Sequence, residues 1–262
     1  MFKALFTAAS GMQGQQRYID TVANNLANVN THGFKASQLN FQDLLYEHNV
    51  AAGTEVTEGN QAPTGLEIGS GVRIVSSSKL FTQGELEPTG GQLDMAIQGG
   101  GFFRVQLADG TTGYTRAGAF GLDGQRRIVT SDGLPLADGL SVPTGATSLI
   151  VSNDGKIYCT VAGSSAQQLV GSITLASFAN PAGLQSSGGN IYTETAAAGA
   201  PTTGAPGSNG LGSLRQGYLE RSNVDVVSEL VRLITAQRAY EINSKAITIA
   251  DRMLQESNSL VR

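Results

Sequence analysis

The chain has no tryptophan, a single cysteine and only two histidines in 262 residues. One cysteine excludes an intrachain disulfide and leaves the redox compartment open. Cys159 alternates with Ile157 and Val161, so it reads as a small core hydrophobe on a strand. His32 and His48 sit in polar, Asn-containing stretches with no Glu or His at helical ligand spacing, which does not support a metal site. There is no G-x-S-x-G elbow and no P-loop, and neither an enzyme nor a cofactor is expected. Net charge is −4, with no run of Lys or Arg to form a nucleic-acid groove. No 18-residue apolar stretch exists for a membrane span. The N-terminal apolar run Ala4-Leu5-Phe6 is too short for a signal peptide, so any export is expected to proceed without a cleaved signal.

What is abundant is glycine: 34 residues, about twice the usual share of roughly 7%. Many tight turns and a modest core suit short strands. From about 71 to 180 the pattern is β. Leu93, Met95 and Ile97 alternate with Asp94, Ala96 and Gln98, and Phe103, Val105 and Leu107 with Arg104 and Gln106. Asp-Gly pairs begin at Asp109, Asp123, Asp132, Asp138 and Asp154, each a hairpin-turn signal because both residues accept positive φ. The Gly99-Gly100-Gly101 run resembles a phosphate cradle, but a strand pattern follows where a dinucleotide site needs a helix, so it reads as a turn. Glu85 and Glu87, between Gly84 and Pro88, read as a solvated turn rather than an acid–base pair.

The two ends are different in kind. Residues 2–29 read as a helix, with Phe2, Leu5, Ala9, Met12, Gln16, Ile19, Ala23 and Leu26 at alternating steps of 3 and 4. Such a helix is roughly 40 Å long. Residues 223–260 read as a longer one, with Ser222 and Asp225 spaced as a capping box. It carries three apolar stripes: Ala239, Ile242, Ala246, Ile249 and Met253; Val227, Val231 and Ile234; and Tyr240, Ile247 and Leu254. A helix apolar on several faces must be surrounded. One helical partner is available within the chain, so the remaining faces are expected to meet other chains.

The expected fold is α+β: long N- and C-terminal helices packed together as a coiled-coil-like layer, with an inserted β-rich domain of short antiparallel strands. The expected division is a helical domain of 1–30 and 222–262, a connecting region of 31–92 and 201–221, and an outer β-domain of 93–200. Residues 36–70 are expected to be mostly extended, with one helical turn at Phe41–Tyr46, because Gly53, Gly59, Pro63, Gly65 and Gly69 interrupt them. Residues 180–216 read as a loop-dominated return path with a strand at Asn190–Thr195.

Four segments together resemble the rod and hook family of bacterial flagellar axial proteins. The first runs from Ala23 to Lys35 and carries Asn24, Asn25, Asn28, Gly33, Phe34 and Lys35 as its signature. The others are Leu93–Phe103, Tyr114–Phe120, and a fourth that runs from Gln216–Tyr218 through Ser222–Val224 to Gln237–Ala246. The length, which leaves no room for an extra outer domain, and the stretch from Asp43 to Val72 liken it to the distal-rod branch; the proximal rod or a short hook protein is the alternative. Near 46–65, with Tyr46, Pro63 and Gly65, that stretch looks like the branch's characteristic insertion. The turn after Phe120, Asp123-Gly124-Gln125-Arg126-Arg127, is shorter or shifted from the family's hairpin.

The resemblance implies a structural subunit of a rigid hollow drive shaft, with terminal helices lining an export channel. It implies self-association into a helical homopolymer. Implied partners are proximal rod proteins at one end, hook or hook-junction protein at the other, P-ring and L-ring proteins around it, and the type III export apparatus. The implied location is the periplasmic basal body. A secreted peptidoglycan-acting or carbohydrate-binding β-protein would need paired acids or aromatic platforms, which the sequence does not offer.

Overall fold

A computed structural model describes residues 2–51, 53, 55–57, 60–61, 63–161 and 166–260. The architecture is α+β and divides into two compact units: 1–26, 37–78 and 226–262 in one, and 27–36 with 79–225 in the other.

The first unit holds both helices. Helix α1 is Phe2–Ala27 and α2 is Val226–Leu260. Between them in sequence runs a two-stranded ribbon. Ser37–Asp43 pairs with Val72–Lys79, Tyr46–Val50 with Leu66–Gly69, and Glu55–Thr57 with Asn60–Gln61. The helical turn expected at Phe41–Tyr46 is absent: one strand runs to Asp43 and the next starts at Tyr46. Cross-ribbon hydrogen bonds such as Leu44 N–H to Gly71 O (2.9 Å) satisfy the backbone better than one isolated helical turn, whose nucleation is costly. The break expected at Gly59 lies outside the described residues.

Helix α1 lies on this ribbon through its small residues. A Cβ on Gly14 would stand 3.3 Å from the Phe41 ring, a tight contact, so glycine gives the helix its close approach at this point. Tyr18 meets Phe41 edge-on at 6.0 Å, and Val22 is buried nearby. Helix α2 starts at Val226 rather than 223. Ser222 Oγ instead accepts the Val224 N–H at 3.3 Å, closing a turn ahead of the helix.

The second unit is a β-body. One antiparallel sheet has the spatial order Gln185–Gly188, Ile191–Thr193, Thr112–Thr115, Phe102–Gln106, Leu175–Ser177, Thr202–Gly204. A meander of Ala146–Val151, Lys156–Val161 and Gln167–Ser172 forms another. The C-terminal return adds Ser213–Gln216 to Met95–Gln98 and Tyr218–Glu220 to Leu86–Pro88. The main core includes Met95, Ile97, Phe103, Val105, Leu136, Ile157, Cys159 and Leu175. An aromatic cluster of Phe81, Phe102, Tyr114, Phe178 and Tyr192 packs edge-to-face, which is the favoured arrangement for ring quadrupoles.

Four of the five Asp-Gly pairs place their glycine at positive φ: Gly110, Gly133, Gly139 and Gly155. The turn at Asp123 differs. Its left-handed residue is Arg126 (φ 61), and Asp123 Oδ1 holds the loop by accepting the N–H groups of Gln125 (2.9 Å) and Arg127 (2.8 Å). The strand expected at Asn190–Thr195 is Ile191–Thr193. The triple-glycine run is a turn, with Gly100 O accepting the Gly212 N–H at 2.7 Å.

Candidate assembly surface

In the helical unit the apolar residues are not where a self-contained domain puts them. Along α2 the buried and half-buried line is Glu229, Leu233, Ala236, Asn243, Ile247, Ala250 and Leu254. Val227 (70%), Val231 (58%), Ile234, Ile242 (65%), Ile249 and Met253 are exposed, as is Tyr240. Ala246 is exposed and Ala239 half-buried. Of the three stripes read from the sequence, part of the third, Ile247 and Leu254, turns inward, while the other two face out apart from Ala239.

On α1 the buried positions are Gly14, Val22 and Asn25. Leu5, Met12, Ile19 and Leu26 are half-buried, Ala9, Gln16 and Ala23 exposed, and Phe6 is 71% exposed. The side chain of Phe2 lies outside the described residues. Shallow grooves accompany the stripes, one lined by Tyr18, Phe41, Val231, Ala236 and Ala239, another by Phe6, Ala9, Met12 and Tyr240. On the ribbon Tyr46, Pro63 and Gly65 are all exposed, with Leu45, Leu66 and Ile68. Residues 52, 54, 58–59 and 62 of the suspected insertion lie outside the described residues.

The signature residues behave otherwise. Asn25 Oδ1 accepts the Ser37 N–H and its Nδ2 donates to Ser37 O, both at 2.9 Å, so one side chain replaces a strand partner. The same Nδ2 reaches Glu229 Oε2 at 3.3 Å. Asn28 accepts from Thr31 Oγ1 at 3.2 Å in the turn after α1, and Asn24 faces outward.

In the β-body, Gly33 at φ 73 donates its N–H to Glu220 O at 2.8 Å. Phe34 is buried under Lys79, whose Nζ stands 4.7 Å above the ring. Lys35 is wholly buried. Its Nζ donates to Glu220 Oε1 (2.5 Å) and to Thr82 O (2.7 Å). Arg116 reaches the other oxygen of Glu220 at 3.3 Å and Gly99 O at 2.8 Å. Glu220 Oε1 also accepts the Gly84 N–H at 2.9 Å. One buried carboxylate thus serves two buried cations. Burial pushes both the Lys35 ammonium and the Arg116 guanidinium below their ordinary ranges, and Glu220 opposes the shift in each. Tyr192 is pushed up to about 12 by burial and by the charge of Glu220. Asn223 completes the joint, accepting the Ala36 N–H at 2.8 Å and donating to Leu80 O at 2.7 Å.

Glu229 was not singled out from the sequence, and Arg116, Glu220, Asn223 and Asn243 were read only as parts of motifs. The available signal was a charged residue ending an apolar strand, Tyr218-Leu219-Glu220, but not its partner 185 positions away. Of the two histidines, His48 pairs with Glu67 at 3.0 Å on the exposed ribbon. Among the described residues no cluster of three or more His, Cys, Asp or Glu could hold a metal ion.

The matching family models cover both units. "Flagella basal body rod protein" matches 5–35, "Flagellar hook protein FlgE/F/G D1 domain" matches 96–159, and "Flagellar basal body rod FlgEFG protein C-terminal" matches 215–260. Among curated proteins, the flagellar basal-body rod protein FlgG of Caulobacter vibrioides is 47% identical, covering 98% of this chain and 99% of its own. FlgG of Buchnera aphidicola from Acyrthosiphon pisum is 45% identical over 99% of this chain and its own full length. FlgG of Bacillus subtilis is 40% identical over the whole of both chains. Full-length identity at this level, together with the α+β architecture and the three matched segments, shows that the chain belongs to the FlgG family of flagellar basal-body rod proteins.

Proposed function

We propose that this chain builds the distal rod by packing the outward apolar stripes of α1 and α2 against those of neighbouring copies. It acts as a structural subunit of the flagellar basal body, the role its family carries. The observation that supports the mode of assembly is the inversion in the helical unit: Val227, Val231, Ile234, Ile242, Ile249 and Met253 lie exposed while Asn25 and Glu229 are buried. Fully burying one such aliphatic side chain is worth roughly 1.5–3 kcal/mol. Several per subunit, repeated along a helical lattice, give a stiff polymer.

On this reading the terminal helices form an inner layer around an export channel and the β-body faces the P- and L-rings. Proximal rod proteins lie at one end of the polymer and the hook or its junction at the other. The chain leaves through the type III export apparatus and works in the periplasm. The exposed ribbon bridges neighbouring copies, and residues 46–65 limit sliding between them. Removing those residues should give a more flexible, curved polymer, seen by electron microscopy; a straight polymer from the deletion would remove that part of the reading.

The whole is tested by complementation. In a strain lacking its own distal rod protein, expression of this chain should restore complete basal bodies and motility. Basal bodies ending at the proximal rod, with the protein made and stable, would overturn it. Rescue of a proximal-rod mutant instead would reassign the chain within the axial proteins.

A further inference from the structure

The small and polar side of α1 meets the ribbon of its own chain along almost its whole length. At steps of 3, 4 and 7 that side carries Lys3, Thr7, Ser10, Gly14, Tyr18 and Asn25. Asn25 holds both backbone groups of Ser37, where the ribbon begins. Gly14 and Tyr18 meet Phe41. Ser10 Oγ accepts the Val72 N–H at 3.4 Å. A Cβ on Gly71 (φ 111) would collide with the same hydroxyl while standing 3.4 Å from the Thr7 Cα. Lys3 Nζ donates to Glu47 Oε2 at 2.5 Å and to Ile68 O at 3.3 Å. The contacts run in opposite order along the two elements and keep step in length. From residue 25 back to residue 3 a helix spans roughly 33 Å, and from 37 to 47 an extended strand spans roughly 34 Å.

Neither element is built to stand alone. Helix α1 carries Gly11 and Gly14, which weaken a helix interior, and has no acidic residue in its first turn or basic one in its last to favour the dipole. An isolated two-stranded ribbon is marginal in water, and this one exposes most of Tyr46–Val50 and Leu66–Gly69. We infer that in the assembled polymer each copy's ribbon splints its own α1 along this stripe, so that the two take their place as one unit. The apolar line Leu5, Met12, Ile19 and Leu26 is thereby left for contacts with helices. The inference rests on the proposed assembly for the polymer in which the splint operates, and adds which copy supplies the ribbon.

The test reads basal bodies purified from a strain that lacks its own distal rod protein and makes the full-length chain. In Lys3→Cys/Glu47→Cys a short bis-maleimide joins the two positions. Both native side chains reach solvent, an exposed ion pair contributes little stability, and the native Cys159 is buried in the β-body. The link should lie within one chain, giving a monomer-sized band whose digest joins the peptides around residues 3 and 47. The two single variants, co-assembled, should give no dimer beyond that of each alone. Dimers in that mixture, or rods in which the double variant forms no link, overturn the inference. A second pair of variants reads the weight of the seam. Gly14→Leu raises the helix propensity of α1 but puts bulk where Phe41 sits. Rods per cell should fall about tenfold or more, the scale of one overpacked contact. Adding Phe41→Ala to the same chain should restore them several-fold. Parental rod numbers in Gly14→Leu, or no recovery in the pair, overturn the inference as well. If the parent chain builds no rod at all, the assembly reading falls and the splint with it; rods linked only between copies strike the splint alone.

Discussion

The two units solve opposite problems. The β-body closes on itself: its core gathers Met95, Ile97, Phe103, Val105 and Ile157, and its buried charge cluster Lys35–Glu220–Arg116 is internally paired. The helical unit does the reverse, putting Asn25 and Glu229 inside and leaving Val227, Ile242 and Ile249 in solvent. A domain that must stand alone hides its apolar surface. One whose final environment includes other copies of itself leaves that surface showing and uses polar contacts to hold its shape meanwhile. Net charge and overall composition average over both units and hide the contrast.

The largest expected effect breaks the body's side of the contrast. Glu220→Gln strips the only carboxylate from two buried cations. Removing one partner of a buried ion pair typically costs about 3–5 kcal/mol because the remaining charge has no compensation. Thermal melting of the body should fall steeply or folding should fail. A triple replacement by apolar residues, Lys35→Met/Arg116→Met/Glu220→Leu, should recover much of that loss, since a packed apolar core replaces the ions. If Glu220→Gln melted like the parent, the triad would carry no weight in the body.

Next in size is the helical side. Leu26→Asp or Ile249→Asp places a carboxylate on a stripe proposed to pack against neighbours. Loss of the apolar contact plus the cost of a buried unpaired charge should weaken each subunit contact by about 3 kcal/mol or more. The expectation is no rod and no motility. Ile249 is exposed in the single chain, so monomer stability should change by only about 0.5 kcal/mol. Calorimetry should find the β-body melting unchanged in both variants. Normal swimming in either one would refute the assignment of the stripes.

The contrast itself was half legible in the sequence. Steps of 3 and 4 located both helices and their stripes, because periodicity depends on local geometry alone. Asp-Gly pairs located turns for the same reason. Which stripe faces inward was not legible. The seam depends on Asn25 finding Ser37 and Glu229, the latter 204 positions away, and no local pattern encodes such a meeting. The ribbon was read as interrupted extended chain because its glycines break any period, while its order comes from pairing across the hairpin. The signature from Asn24 to Lys35 stood out as a motif, but what its residues hold, with Lys35 locked to Glu220 and Asn25 standing in for a strand, required the fold.

The smallest effect is electrostatic and belongs to the body's turns. Asp109, Asp123 and Asp154 all have carboxyls held below their ordinary range, chiefly by the Thr111 hydroxyl, the Arg127 backbone N–H and the Lys156 ammonium respectively. A carboxyl whose folded pKa is depressed binds its proton less readily in the folded chain than in the unfolded one. Its contribution is therefore complete above the unfolded value, near 3.9, and is lost as pH falls through the lower folded value. The melting temperature of the body should thus decline on acidification below about pH 4. Asp109 and Asp154 are solvent-exposed and Asp123 is half-buried at the surface, so each effect is small and screened by salt. Asp123→Asn should blunt the acid decline most visibly, because Asp123 also anchors the turn in which Arg126 takes positive φ. The asparagine keeps an acceptor for the Gln125 and Arg127 N–H groups, so at neutral pH the variant should lose little beyond its ionic contact with Arg127. An acid decline as steep in Asp123→Asn as in the parent would assign the pH response of the body to other carboxyls.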